Sequence, residues 1–145
     1  MFSRSLWVMM SAGLCMGLAG CGHHAPKGPN LAEVHPVRGH ITFADKSPLK
    51  GGVIYFSPVE TATHGKIRYE AASLIDRDGN YTLGFNGNNA GTAAGEYKVT
   101  IMPREMNELP LSNSNRIPKK YQEQSSTPLV ATVNTGDNTL DFVLN

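Results

Sequence analysis

In the segment Glu96-Tyr97-Lys98-Val99-Thr100-Ile101-Met102, polar and apolar residues alternate from Glu96 to Ile101. Successive side chains on a strand point to opposite faces, so this period of two specifies a strand that turns Tyr97, Val99 and Ile101 towards a core. The pattern recurs along the chain. In 37–43 it sets Val37, Gly39, Ile41 and Phe43 against Arg38, His40 and Thr42, and 53–58 reads as a second strand ended by Pro58. Residues 67–75 predict a third, with Tyr69, Ala71, Ser73 and Ile75 on one side. After the turn Asp76-Arg77-Asp78-Gly79-Asn80, residues Tyr81, Leu83 and Phe85 face one way. Segments 129–133 and 140–144, joined by the turn Asn134-Thr135-Gly136-Asp137-Asn138, predict a terminal hairpin. About seven short strands separated by turn residues predict an all-β domain over 37–145, a seven-stranded two-sheet β-sandwich.

The amino end follows a different rule. Arg4 is the single charge in residues 1–20, and an unbroken run of apolar and small residues follows it from Leu6 to Ala19. A positive start, a short apolar run and small residues before a cut make a secretory signal peptide, here a signal helix over 1–20. At about 14 residues the run is too short to cross about 30 Å of hydrocarbon as a permanent span. It ends in Leu18-Ala19-Gly20-Cys21, which resembles the bacterial lipobox. The resemblance implies cleavage before Cys21 and a diacylglycerol thioether on its sulfur. Residues 21–36, with glycine and proline spaced through them and no sustained period, then predict a flexible tether.

Charge and cysteine content remove whole classes of function. Thirteen Lys and Arg stand against 12 Asp and Glu, and loss of Arg4 with the signal leaves the mature chain formally neutral. No basic stripe exists for a phosphate backbone, so nucleic acid is not expected as a partner. Nor is there a polybasic segment for anionic headgroups, and attachment to a membrane rests on the lipid anchor alone. Of the 2 Cys, Cys15 leaves with the signal and Cys21 is consumed by acylation, which excludes a disulfide, thiol catalysis and Cys-ligated zinc.

Isolated chemistry-bearing residues read as architecture. His23, His24 and His35 lack a fixed scaffold for a metal. Asp76-x-Asp78-Gly79-Asn80 could be half of a calcium loop, but the twelfth position of such a loop needs a bidentate Glu and is Gly87 here, so a hairpin turn is expected. His40 and Arg38 share the polar face of the first strand without an acid or nucleophile. No nucleophile elbow, H-E-x-x-H or phosphate loop occurs. The connection 103–128 is longer than ordinary loops and predicts local structure, with one helical turn after Pro118 and with Ile117 and Tyr121 pinning it to the sandwich. Loop 86–95 and this crossover are the places to expect a partner surface.

Several segments resemble, in order, small bacterial lipoproteins with a carboxypeptidase-regulatory-like, transthyretin/prealbumin-like domain. They are Val37-Arg38-Gly39-His40-Ile41, Pro48-Leu49-Lys50-Gly51-Gly52-Val53-Ile54-Tyr55-Phe56, Asp76-Arg77-Asp78-Gly79-Asn80-Tyr81-Thr82-Leu83, Ala94-Gly95-Glu96-Tyr97-Lys98-Val99-Thr100-Ile101, Ile117-Pro118-Lys119-Lys120-Tyr121 and Asn138-Thr139-Leu140-Asp141-Phe142-Val143-Leu144. The resemblance implies a prealbumin-like sandwich, secretion and no settled activity. The same fold hosts a hydroxyisourate hydrolase whose hallmark is a C-terminal Tyr-Arg-Gly-Ser. The last residues here, Asp141-Phe142-Val143-Leu144-Asn145, lack it. Related adhesin sandwiches form Lys–Asn isopeptide bonds, but the first strand offers Arg38 in place of a lysine. The expectation is a non-enzymatic domain with no cofactor, anchored by lipid, palmitate included, at Cys21 in the bacterial cell envelope. Its partner would be another envelope protein or a polysaccharide. The competing expectation is a small transthyretin-type hydrolase or ligand-binding protein.

Overall fold

The computed structural model describes residues 30–84, 91–104 and 112–145. Twelve strand segments and two single-turn 3-10 helices make up its regular structure. In chain order the strands are β1 (Val34–His35), β2 (Val37–Phe43), β3 (Val53–Pro58), β4 (Ala62–Thr63), β5 (Lys66–Ile67), β6 (Ala71–Leu74), β7 (Asn80–Thr82), β8 (Thr92–Ala93), β9 (Gly95–Met102), β10 (Val130–Val133), β11 (Asn138–Thr139) and β12 (Phe142–Leu144).

One sheet runs β10-β9-β3-β6, all antiparallel. The other is built on β2, with β7 antiparallel on one flank and β11 and β12 parallel on the other. Taken as one interrupted edge, β11 and β12 leave four strand positions in the first sheet and three in the second. The facing sides meet in a sandwich-like arrangement, and their alternation is the one written in the sequence. Val37, Ile41 and Phe43 of β2 and Tyr97, Val99 and Ile101 of β9 are buried in one continuous cluster with Ile54, Phe56, Val133 and Leu144. Phe56 lies at its centre, its ring 5.9 Å from that of Tyr97 and 6.1 Å from those of Tyr81 and Phe142. These tilted and edge-on spacings are the ones aromatic quadrupoles favour.

The terminal hairpin does not form. β10 adds to β9, whereas β12 crosses to the opposite sheet and lies parallel to β2, with Phe142 opposite Ile41 and Leu144 opposite Phe43. Asn138 supplies the reason. Its side chain is buried, accepts from the Asn134 N–H at 2.8 Å, and donates to the carbonyls of Asn134 and Gly136, each at 2.9 Å. It also reaches the Pro36 carbonyl at 3.3 Å. The turn therefore closes on a side chain and on the strand entering β2, which carries the chain from one sheet to the other.

The strand expected over 67–75 is broken at Arg68. Lys66–Ile67 pairs with β4, the Arg68 N–H donates to the Thr61 carbonyl at 2.8 Å, and pairing with β3 starts only at Ala71. Residues 30–36, read as the end of the tether, are paired to the domain. Val34 lies opposite Ala93, and Leu31 bridges Ile67.

The crossover is pinned as expected. The helices Ser114–Arg116 and Lys119–Tyr121 bury Ile117 and Tyr121 in the core, and Pro118 caps the second. The Tyr121 hydroxyl donates to the Asn145 carbonyl at 3.2 Å and accepts from its N–H at 2.9 Å. Thr127 donates to the Val99 carbonyl at 2.7 Å.

Candidate functional site

The strand registers define two ends of the sandwich. β2, β6 and β9 begin at the end where the chain enters from Asn30, and β3, β7 and β10 finish there. The crossover helices and Leu144 lie at the other. At the entry end sits Arg68, whose side chain is 7% exposed. The missing side chain of Gly95 makes this possible, since a Cβ there would stand 1.8 Å from the Arg68 Nη1. Nη2 donates to Glu60 at 3.3 Å and to the Thr63 hydroxyl. Among the described residues, Arg68 Nε is the buried side-chain polar atom left without a hydrogen-bond partner. Glu60 is 70% exposed, so the ion pair joins an interior cation to a largely solvated anion.

Beside the guanidinium, the Tyr97 hydroxyl donates to the Ala93 carbonyl at 2.6 Å and lies 3.1 Å from the Thr92 hydroxyl. Burial raises the Tyr97 pKa, with Thr92 and Arg68 opposing the rise. A cleft of about 170 Å³ opens next to this group, walled chiefly by Leu31, Val34, Ile67, Tyr69, Ala71 and Ala93. Ordinary ligand pockets hold about 300–1,000 Å³, so this cleft fits an apolar side chain or chain end and not a whole cofactor.

The residues singled out from sequence fall elsewhere. Cys21, the anchor candidate, lies outside the described residues, as do the signal peptide 1–20, His23, His24, Phe85 and residues 86–90 and 105–111. His35 Nδ1 accepts the Gly136 N–H at 3.2 Å. His40 Nε2 is 2.6 Å from the Asp78 carbonyl, and Arg38 is exposed on the same strand. Both imidazoles are thus engaged by backbone. The Asp76 carboxylate accepts from the N–H groups of Asp78 and Asn80, each at 2.8 Å, and from the Asn80 amide at 3.1 Å. Burial pushes its pKa up, and these hydrogen bonds outweigh burial and hold it below the usual carboxylate value. The Asp76 oxygens thus serve the turn itself. No group of three or more His, Cys, Asp or Glu suited to a metal occurs among the described residues, and none of their helices is long and apolar enough to cross a membrane.

Of the two segments expected to carry a partner surface, the first contributes Gly91, Thr92 and Ala93 to the cleft. The second buries Ser114, Ile117, Tyr121 and Thr127, while most of its other described residues are exposed. Sequence reasoning missed Arg68, whose neighbours Ile67 and Tyr69 carry the same strand-like character as the segment that follows. It also missed Leu31 and Val34, whose signal was available: they form the one apolar cluster between Cys21 and Val37. No protein-family model, curated protein or solved structure matches the chain.

Proposed function

We propose that this protein is a non-enzymatic lipoprotein of the bacterial cell envelope, acylated on Cys21, whose sandwich of transthyretin/prealbumin-like kind serves as a binding or structural module. The observation that carries the reading is Leu18-Ala19-Gly20-Cys21 directly behind the apolar run. Small residues at 19 and 20 suit an extended backbone in a peptidase site, and Cys21 supplies the thiol. Two or more acyl chains hold a protein stably where one is marginal, each buried CH₂ adding about 0.8 kcal/mol.

Two features of the domain agree with a binding or structural role. Polar groups singled out from the sequence are committed to the fold: Asp76 to its own turn, His40 to a backbone carbonyl and His35 to a backbone N–H. The apolar cleft at the entry end is walled by aliphatic and aromatic side chains around a cation, which suits contact more than bond breaking. The partner in this reading is the membrane through the anchor, together with an envelope protein or polysaccharide.

Incorporation of labelled palmitate into the wild-type chain, lost in Cys21→Ser, is the expected result, and unchanged labelling in the variant contradicts it. The competing reading of a transthyretin-type hydrolase or ligand-binding protein predicts a tetramer with a polar channel, and a monomer on sizing discards it.

A further inference from the structure

We infer that the entry end of the sandwich is a lipid-facing surface, on which Leu31, Val34, Ile67 and Tyr69 rest against the acyl–headgroup boundary of the membrane that holds the anchor. This rests on the acylation of Cys21 proposed above.

Leu31 is 50% exposed, Val34 and Tyr69 45%, and Ile67 36%, and all four border a single cleft. Val59, also exposed, lies at the same end, where β3 finishes. An exposed cluster of large apolar residues around a concavity marks a contact surface in a way that scattered single residues do not.

The covalent path identifies what it touches. Eight residues lie between Cys21 and Asn30, where the described chain begins, so the path is nine Cα-to-Cα steps long. Taken as the flexible tether their sequence predicts, these steps have a root-mean-square span of about 16 Å and a limit of about 30 Å. The seven residues of β2 alone extend about 23 Å from the entry end towards the crossover end. The average tether is therefore shorter than the domain, and the end bearing Leu31 is the end presented to the bilayer. Anchoring also changes how much affinity is needed. A patch too small to hold a free protein acts here within one molecule, at an effective concentration of order millimolar.

The charges choose the lipid. Arg68 and Lys66 stand among Glu33, Glu60, Glu70 and Glu96 at this end, so it offers no net positive charge to anionic headgroups. The contact is apolar, favours zwitterionic over anionic lipid, and on a zwitterionic surface is insensitive to salt.

The chain contains a single Trp, Trp7. It leaves with the signal, so in the acylated chain Leu31→Trp, Ile67→Trp and, at the far end, Val143→Trp each give one reporting indole. The acylated chain is reconstituted in phosphatidylcholine vesicles whose acyl chains carry bromine as a quencher. The expected result is blue-shifted emission at positions 31 and 67, with quenching at least about twofold stronger than at 143 and unchanged by salt. Vesicle-bound protein with equal, weak quenching at all three positions overturns the orientation while leaving the anchor intact. Protein that fails to float with the vesicles overturns both. A blue shift at 31 that grows with protein concentration and shows no quenching assigns this end to a second copy of the chain and overturns the lipid contact.

Discussion

The Tyr81 hydroxyl donates to the Leu140 carbonyl at 2.6 Å, directly over Gly39, where a Cβ would stand 1.9 Å from that same carbonyl oxygen. Leu140 and Asp141 interrupt the parallel edge between β11 and β12, and three contacts hold the interruption in place. They are the Tyr81 hydrogen bond, the Leu140 N–H donating to the Arg38 carbonyl at 2.8 Å, and the His40 N–H donating to Asp141 at 2.8 Å. The chain can return to the first sheet strand only because position 39 has no side chain.

Gly39→Ala is expected to be among the most destabilising small substitutions in the domain, at about 3 kcal/mol, because backbone and not a flexible side chain fills the space. Urea unfolding of the two proteins checks this, and a loss below about 0.5 kcal/mol would place the Leu140 carbonyl elsewhere.

Tyr81→Phe removes the hydroxyl and leaves the Leu140 carbonyl unpaired, at an expected cost of about 1–2 kcal/mol. Burial, with help from Asp141, pushes the Tyr81 pKa well above its usual 10.0. A group whose folded value is raised contributes stability below its unfolded value and loses it above. The wild type should therefore shed stability above about pH 10, and Tyr81→Phe should lack that part of the slope.

Asp45 offers the opposite sign. Hydrogen bonds from the Ser47 hydroxyl and N–H, then from Arg116, hold its pKa down to about 2. Its contribution is present above the ordinary carboxylate range and is lost as pH falls from about 4 to about 2. A carboxyl-carbon NMR titration should show the low value. Ser47→Ala should raise it more than Arg116→Ala does, since the Ser47 bonds lead and the Arg116 pair is exposed to solvent.

Much of this fold was legible because alternation reports which face a residue takes. Tyr97, Val99 and Ile101 fall in the core for that reason, as do Val37, Ile41 and Phe43. Alternation does not report which neighbour a strand chooses, however, and 129–144 looked like a hairpin until Asn138 spent its side chain on the turn. The entry-end site was less visible still. Arg68 is buried by a bend at Thr61 and a glycine 27 positions later in sequence, neither of which leaves a periodic trace.

Arg68 separates packing from charge. Arg68→Met keeps an apolar stem and deletes a buried cation with an unpartnered Nε, so stability should change by less than about 1 kcal/mol. Arg68→Ala loses the stem and should cost about 2 kcal/mol. Equal, large losses from both would mean that the Glu60 and Thr63 contacts, and not the stem, hold this end together.

The central claim is the covalent anchor. The intact mass of the chain purified from membranes tests it most directly, together with the mass of its amino-terminal peptide. The account predicts a polypeptide beginning at Cys21 and carrying the added mass of a diacylglyceryl thioether. A chain recovered with a free Cys21 thiol, or beginning at any other residue, would contradict it.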